Sequence, residues 1–85
     1  MKLIATFRFD REFDRIIKKR RALAQRIDKT LTLFSTNPNH PSLRLHKLSG
    51  GEVYSLSVTM DLRILLEWQD DQAFLLRIGT HEEVY

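Results

Sequence analysis

The 85-residue chain has no cysteine, only two prolines and three glycines, and no long apolar run. Without cysteine there can be no disulfide framework, no thiolate nucleophile and no cysteine-based zinc site, so packing alone must stabilise the fold. The apolar residues 3–7 are too few for a signal-peptide core, and no segment approaches the length of a membrane span. We therefore expect one intracellular domain covering residues 1–85, large enough for a single core but only for a shallow site.

Acidic residues are scarce in the first half of the chain. Residues 1–47 carry twelve Lys and Arg against four Asp and Glu, whereas residues 48–85 carry two against seven. The densest basic run is Lys18-Lys19-Arg20-Arg21, and such runs favour binding to RNA or DNA phosphates. A solvated helix surface gives the same pattern, so the run by itself leaves both interpretations open.

The hydrophobic pattern of the first half predicts one strand followed by two helices. Residues 3–7 alternate as a strand does, and Asp10 is predicted to cap the helix that follows. Apolar residues at helical spacing predict two helices between residues 10 and 36, with a break near Arg20–Ala22. One long helix is the open alternative. The segment Asn37–Pro41 ends the helical part, because proline disfavours helix at the residue before it.

The second half predicts a three-stranded antiparallel meander. After the Ser49-Gly50-Gly51 turn come three strand-like segments: Val53–Val58, Leu62–Trp68 and Ala73–Ile78. Their short links require hairpins, because a parallel return needs a crossover of a dozen or more residues. Even-numbered residues of the last two strands are predicted to face the core. One such register sets Arg63 opposite Arg77, where solvent, Glu67 or a bound phosphate would relieve the repulsion.

A series of short motifs runs through this second half. They are His46-Lys47-Leu48-Ser49-Gly50, Tyr54–Val58, Asp61–Leu65, Ile78-Gly79-Thr80-His81 and Val84-Tyr85. In this order and spacing the sequence resembles the RelE/ParE superfamily of bacterial toxin–antitoxin toxins, and its Gly-Thr-His ending is most similar to the YafQ branch. The resemblance covers nearly the whole chain, including the first strand, the basic helices and the Asn-Pro turn.

The resemblance implies a small α+β, RelE-like fold: strand, helix, helix and antiparallel meander, with the helices on one face of a twisted sheet that the first strand joins. It also implies a cytoplasmic, ribosome-dependent mRNA endonuclease held inactive by a cognate antitoxin. Cleavage in such toxins needs no metal, because the ribose 2′-hydroxyl attacks the adjacent phosphorus, leaving a 2′,3′-cyclic phosphate and a 5′-hydroxyl. We expect no metal and no nucleotide cofactor, since ligand spacings and a phosphate-loop motif are lacking.

This chemistry asks for a base, an acid and positive donors for the phosphorane oxygens. By resemblance, His81 is the candidate acid or base, and Arg63 is the candidate ligand of the scissile phosphate. His46 is a further proton-transfer candidate, and Tyr85 could stack on a base beside the cut or help to transfer protons. Which histidine is the base and which is the acid stays open.

Each candidate also has an ordinary structural explanation. His81 could be a surface histidine, Arg63 an ion-pair partner of a nearby carboxylate, His46 a packing residue, and Tyr85 part of a frayed terminus. Asp61 corresponds to an acidic residue of YafQ-like relatives that positions a histidine. In a tight hairpin, however, aspartate more commonly bonds the turn backbone.

The remaining candidates are basic residues expected to contact RNA. They are Lys47, Arg44, Arg77, Lys18, Lys19, Arg20 and Arg21. Binding through them should be independent of sequence and should weaken steeply with salt.

Two other functions fit the same resemblance. A ParE-type inhibitor of DNA gyrase shares the fold and needs no proton-transfer residues, and an inactive relative would only bind its antitoxin. In all three cases we expect a toxin–antitoxin hetero-oligomer in which an acidic, amphipathic antitoxin tail covers the basic helices and exposed sheet elements.

Overall fold

The computed structural model describes all 85 residues, which form a five-stranded sheet with two long helices on one face. The elements are β1 (Lys2–Ala5), α1 (Phe7–Lys19), α2 (Ala22–Thr36), a 3₁₀ turn (Pro41–Leu43), β2 (His46–Lys47), β3 (Val53–Ser57), β4 (Leu62–Gln69), β5 (Gln72–Thr80) and α3 (His81–Val84). The strand order is β1-β5-β4-β3-β2; β1 is parallel to β5 and all other neighbours are antiparallel. This architecture confirms the predicted α+β class. None of the helices has the length and apolar character needed to cross a membrane.

The two predicted helices are present, with the expected break at Arg20-Arg21. The predicted cap is wrong, because Thr6 and not Asp10 begins α1. Thr6 Oγ1 accepts a hydrogen bond from Phe9 N at 3.2 Å and donates one to Leu75 O at 2.7 Å. A capping side chain bonds an amide two or three positions later, and Asp10 already lies inside the first turn. The cap therefore also ties the start of α1 to β5.

The core lies between the two long helices and one face of the sheet. Its buried apolar residues are Phe9, Leu23, Ile27, Phe34, Leu43, Leu56, Val58, Leu62, Ile64, Leu66, Ala73, Leu75 and Ile78. Full burial of a large apolar side chain contributes about 1.5–3 kcal/mol, so this cluster is the main stabilising element of the fold. We call the sheet face that it covers the inner face and the opposite one the outer face.

A β-bulge interrupts the pairing of β4 with β5. Leu65 pairs with Arg77 and Leu66 pairs with Leu75, so Leu76 is an extra residue with no partner. An unpaired residue of this kind reverses the alternation of side chains beyond it and increases the local twist.

The bulge corrects the predicted faces of β5. Ile78 lies in the core as predicted, but Ala73 and Leu75 are buried there in place of Phe74 and Leu76. The even-numbered core face is right for β4, where Leu62, Ile64 and Leu66 are buried. The sequence hid the bulge because every residue from Ala73 to Leu76 is apolar.

The predicted pairing of two arginines is also wrong. Arg63 pairs with Gly79, and Arg77 pairs with Leu65. The pairs Arg63–Gly79 and Leu65–Arg77 are two positions apart, so the two arginines are diagonal neighbours on one face and are not directly opposite each other.

A carboxylate from α1 covers the part of β5 that β1 does not reach. Strand β1 pairs only with Gln72–Leu75. Beyond it, Glu12 Oε1 accepts a hydrogen bond from Ile78 N at 3.1 Å, and Glu12 Oε2 accepts one from Arg77 Nη2 at 2.8 Å. Glu12 thus replaces the missing strand at an edge that would otherwise present a free amide.

Replacing Glu12 with alanine should lower the free energy of unfolding by about 2 kcal/mol, because the Ile78 amide and the Arg77 guanidinium both lose a partner in a half-buried place. Urea unfolding of the variant and the parent measures the change. Asp14→Ala, at an exposed site on the same helix, is the matched control and should stay within about 0.5 kcal/mol. An equal loss in the two variants would show that the bridge to β5 contributes nothing.

Candidate functional site

The candidate site lies on the outer face of the sheet. Strand pairing places two rows of residues there: His46, Ser55, Leu65 and Arg77 in one row, and Ser57, Arg63 and Gly79 in the next. Directly paired residues point to the same side of a sheet, so these side chains share one surface. Three of the sequence candidates therefore lie on the same face.

The short helix α3 covers part of the outer face because Gly79 allows it to approach closely. A Cβ atom at Gly79 would lie 2.9 Å from Glu83 Oε1 and 3.2 Å from Val84 Cγ1. Thr80 and Glu83 form a capping box: Thr80 N donates to Glu83 Oε1 at 2.8 Å, and Glu83 N donates to Thr80 Oγ1 at 3.3 Å. With Val84 buried, these bonds fix a helix of only four residues on the sheet.

The helix α3 brings His81 and Tyr85 together over β3. Their ring centroids are 4.4 Å apart with an interplanar angle of 71°, an edge-to-face contact. The Tyr85 hydroxyl donates to Ser55 Oγ, and Ser55 is completely buried. His46 is the cross-strand partner of Ser55 on the outer face. We call His46, Ser55, His81 and Tyr85 the His–Tyr cluster.

The backbone around His46 favours one tautomer of its ring. His46 Nδ1 lies 3.3 Å from the carbonyl oxygen of Arg44, which can only accept a hydrogen bond. This contact favours a proton on Nδ1 and leaves Nε2 as the proton acceptor of the neutral ring. Arg44 itself adopts a left-handed conformation with φ of 47°, which is uncommon for a residue other than glycine.

Arg63 is held at the end of the β3–β4 hairpin. Its Nη1 donates to the carbonyl oxygen of Thr59 at 2.7 Å, and the side chain is half-buried. It forms no ion pair with Glu67 or Asp61, so the alternative explanation given for it from the sequence is not observed. The guanidinium is positioned by one backbone contact and has no carboxylate partner within the chain.

Thr59, and not Asp61, bonds the backbone of this hairpin. Thr59 Oγ1 accepts hydrogen bonds from Leu62 N at 3.0 Å and Asp61 N at 3.3 Å. The Asp61 side chain is exposed and makes no hydrogen bond within the chain, so its predicted turn-bonding role is wrong.

Several basic candidates lie away from the His–Tyr cluster. Lys47 follows His46 on a strand and so points to the inner side, where its Nζ lies 5.9 Å from the centre of the Tyr54 ring. Arg77 is paired with Glu12. The basic run is exposed: Lys18 and Lys19 end α1, while Arg20 and Arg21 form the corner before α2.

A cationic surface connects this corner with Arg63. A pocket of about 370 Å³ is lined by Arg20, Ala22, Leu23, Gln25, Arg26, Lys29 and Thr59. An adjoining one of about 160 Å³ is lined by Arg26, Ser42, Arg44, Ser57, Val58, Thr59 and Met60. Thr59 lines both pockets and its carbonyl oxygen holds Arg63, so a series of cationic residues leads from the helix corner to Arg63.

Four residues that shape the site were not among the sequence candidates. Ser55 could have been found, because alternation along β3 puts it on the same side as Arg63. Gly79 stood inside a recognised motif, but its close contact with α3 was not foreseen. The roles of Glu12 and of the Thr59 carbonyl cannot be recognised in the sequence, because only the tertiary fold brings them to their hydrogen-bond partners. No group of three or more His, Asp or Glu side chains is arranged to hold a metal ion.

Hydrogen bonds and nearby charges lower the pKa of Glu83. The largest cause is the hydrogen bond from the Thr80 backbone, followed by the bond with the Thr80 side chain, and desolvation opposes them. The positive charges of Arg15 and Arg77 lower this pKa further. The carboxylate form of Glu83 is therefore the one that stabilises α3.

The fold is shared with bacterial toxins of known structure. YafQ from E. coli matches with a TM-score of 0.83 at 17% identity, over 99% of this chain and 97% of that one. A copper-bound mutant toxin from Helicobacter pylori matches with a TM-score of 0.77 at 27% identity, over 100% and 99%. A YoeB/ParE toxin from Agrobacterium tumefaciens matches with a TM-score of 0.81 at 14% identity, over 95% of this chain and 99% of that one. No protein-family model and no curated protein matches the chain.

These matches confirm the predicted resemblance at the level of the fold. The chain shares the α+β fold of YafQ and of the YoeB/ParE toxin along nearly its whole length. The same fold is present in the E. coli DinJ–YafQ toxin–antitoxin complex, which matches with a TM-score of 0.83 at 18% identity, over 99% of this chain and 96% of that one.

Lowering the pH should destabilise α3 before it affects the core. A carboxylate with a lowered pKa in the folded state contributes stability above its ordinary unfolded pKa, and this is lost as the pH falls through the lowered value. The contact between the His81 and Tyr85 rings, followed by NMR from pH 7 to pH 3, should therefore weaken at the acid end. Glu83→Gln removes the titration while keeping an amide oxygen for Thr80, and its α3 should respond less to pH. The same acid response in both proteins would contradict the prediction.

Gly79→Ala should displace α3, because the added Cβ would lie within 3.2 Å of Val84 and still closer to Glu83. We expect a loss of about 1–3 kcal/mol in unfolding free energy, together with loss of the His81–Tyr85 ring contact in NMR spectra. Glu82→Ala changes an exposed residue of the same helix and serves as the control. An unchanged ring contact in Gly79→Ala would refute the close approach.

Proposed function

We propose that this chain, with its RelE/ParE-superfamily fold, is the toxin of a type II toxin–antitoxin system and a ribosome-dependent mRNA endonuclease. The observation that supports this most directly is the His–Tyr cluster beside Arg63 on the outer face. Two imidazoles, a phenol and a guanidinium lie on or above one open face of the sheet, and these groups suit proton transfer and phosphate binding.

The side chains can supply each role in attack by a ribose 2′-hydroxyl on the adjacent phosphorus. His46 is the proposed base, because the bond from its Nδ1 to the Arg44 carbonyl leaves Nε2 free to take a proton. His81 is the proposed acid that protonates the leaving 5′-oxygen. Arg63 is proposed to hold the non-bridging oxygens, where negative charge develops in the transition state. With base, acid and cation all supplied by the chain, we propose that no metal takes part.

Tyr85 is proposed to position His81 and the RNA. Its hydroxyl is bound to Ser55 and its ring contacts His81, so the tyrosine is fixed at both ends. It is still 45% exposed, which leaves ring surface for a nucleobase to stack on. This placement favours a functional tyrosine over a frayed terminus.

The openness of the site supports the proposed dependence on the ribosome. The His–Tyr cluster lies on a sheet surface and not in a deep cleft, so the chain by itself has little means to force RNA into the in-line geometry that the reaction needs. The cationic surface from the helix corner to Arg63 is suited to ribosomal RNA phosphates. A cytoplasmic location accompanies this proposal.

An antitoxin is the proposed partner that restrains the activity. The structural relative YafQ is found in a toxin–antitoxin complex with DinJ. The basic first half of the present chain would attract an acidic, amphipathic segment, and we propose that a cognate antitoxin supplies one.

A ParE-type gyrase inhibitor is less well supported, because binding to gyrase needs no His–Tyr cluster. Cleaved DNA–gyrase complexes in cells with intact translation would favour that function instead. Normal growth during overexpression would point to a relative that only binds its antitoxin.

His81→Ala and Arg63→Ala should each lower cleavage of translated mRNA by about two orders of magnitude or more, since each removes a group that acts in the transition state. Primer extension on mRNA from a cell-free translation reaction measures the cuts, and free RNA should stay largely intact. His40→Ala is the matched histidine control, because His40 caps the 3₁₀ turn away from the cluster and should keep normal activity. Equal cutting by all four proteins would remove His81 and Arg63 from the mechanism.

A further inference from the structure

A second cationic site lies where α1 crosses the end of β5. A pocket of about 320 Å³ is lined there by Arg8, Arg11, Glu12, Arg15 and Arg77, and no apolar side chain takes part. Four guanidinium groups thus surround one carboxylate. We call this site the arginine pocket.

The single carboxylate is already fully engaged. Glu12 Oε1 accepts from Ile78 N, while Oε2 accepts from Arg77 at 2.8 Å and lies 3.9 Å from Arg8 Nε. Arg11 and Arg15 form no ion pair. Even with the Glu83 carboxylate of α3 nearby, the four guanidinium groups outnumber the carboxylates, so the pocket keeps an excess of positive charge.

One donor in the pocket is buried and unused. Arg77 Nε is inaccessible to solvent and has no hydrogen-bond partner, although Nη2 of the same guanidinium binds Glu12. Buried polar atoms in native proteins are nearly always bonded, and an unpaired donor is destabilising. A small movement of the Arg77 side chain would bring this atom within reach of an acceptor oxygen of a ligand, and the planar fork of arginine matches the geometry of a phosphate.

The arginine pocket lies close to the proposed catalytic surface. Arg77 stands in the same row as Ser55, two strand spacings or about 10 Å away. Arg15 and Arg77 also lie close enough to Glu83 on α3 for their charges to act on it. The two sites are therefore close enough for one strand of RNA to reach both.

We infer that the arginine pocket binds a backbone phosphate of the RNA strand, one flanking the phosphate that is cut at the His–Tyr cluster. This inference rests on the proposed function and adds a second anchor to it. The lining favours phosphate over an acidic peptide, because a peptide would need apolar contacts that the pocket does not offer. Two fixed phosphates would set the position of the strand relative to His46 and His81, so the arginines of the pocket are positioning residues and take no part in proton transfer.

The test uses two charge-removing variants and a matched control. Arg11→Gln and Arg15→Gln each take one unpaired arginine from the pocket. Lys2→Gln removes the same charge from an exposed site on β1, at the opposite end of β5. The thermal unfolding midpoint of each variant shows that it is folded.

The first probe is a single-stranded RNA with a 2′-deoxy nucleotide at the cut position, titrated by fluorescence anisotropy at several salt concentrations. Each pocket variant should bind about tenfold more weakly, and the slope of log K against log salt should fall by about 0.7, the value for one phosphate contact on a single strand. Lys2→Gln should bind within about twofold of the parent with an unchanged slope. Effects in the pocket variants no larger than in Lys2→Gln would overturn the inference.

The second probe is inorganic phosphate at constant ionic strength, with chloride as the reference anion. The Arg77 Nε–H resonance should shift with phosphate in the parent and in Lys2→Gln, and much less in Arg15→Gln. No shift in the parent would overturn the inference. Equally strong competition by a polyglutamate peptide would also overturn it, because the pocket would then not select phosphate.

Failure of the inference and failure of the proposed function can be told apart. If the parent cuts translated mRNA and Arg15→Gln binds RNA as Lys2→Gln does, the function stands and the pocket does not. If the parent never cuts mRNA but both titrations give the expected results, the pocket stands as an RNA phosphate site and the endonuclease proposal falls.

Discussion

The bridge from Glu12 to the end of β5 is the contact on which the outer face depends. The two carboxylate oxygens of Glu12 accept hydrogen bonds from the guanidinium of Arg77 and the amide of Ile78. These two residues follow Glu12 by 65 and 66 positions in the chain. Because α3 begins directly after β5, this bridge also fixes the position of His81, the first residue of α3. A carboxylate that looks like an ordinary surface residue of a helix thereby positions a strand, an arginine and a candidate proton donor.

Most of the fold could be predicted from the sequence because its signals are periodic. The apolar spacing from Phe13 to Phe34 and the Asn37–Pro41 segment defined the helical part, and short links defined the hairpins. The strand β2 and the helix α3 are too short to show any period. The bulge at Leu76 could not be recognised among apolar neighbours. Thr6 and Asp10 are both capping residue types, and aspartate is the more common one, so the position of the first turn was needed to choose between them.

The identities of the candidate site residues could be predicted from the sequence, but their arrangement in space could not. His46, Arg63, His81 and Tyr85 came from their motifs, and the structure places all four on or above one face. Lys47 could not be separated from His46 without knowing that the pair lies on a strand, where neighbours point to opposite sides. Arg77 is paired with Glu12 of α1, which is distant in sequence, and no local sequence pattern predicts such a pair.

The extra residue at Leu76 also affects how this chain can be compared with others. Because β5 is one residue longer there than β4 requires, loss of one leucine from Leu75-Leu76 would leave every other cross-strand pair intact. A gain or loss at any other point of the strand would exchange its inner and outer faces. Homologous strands should therefore be aligned by their pairing partners, with a single gap allowed at this position, and not by counting residues back from the Gly-Thr-His motif.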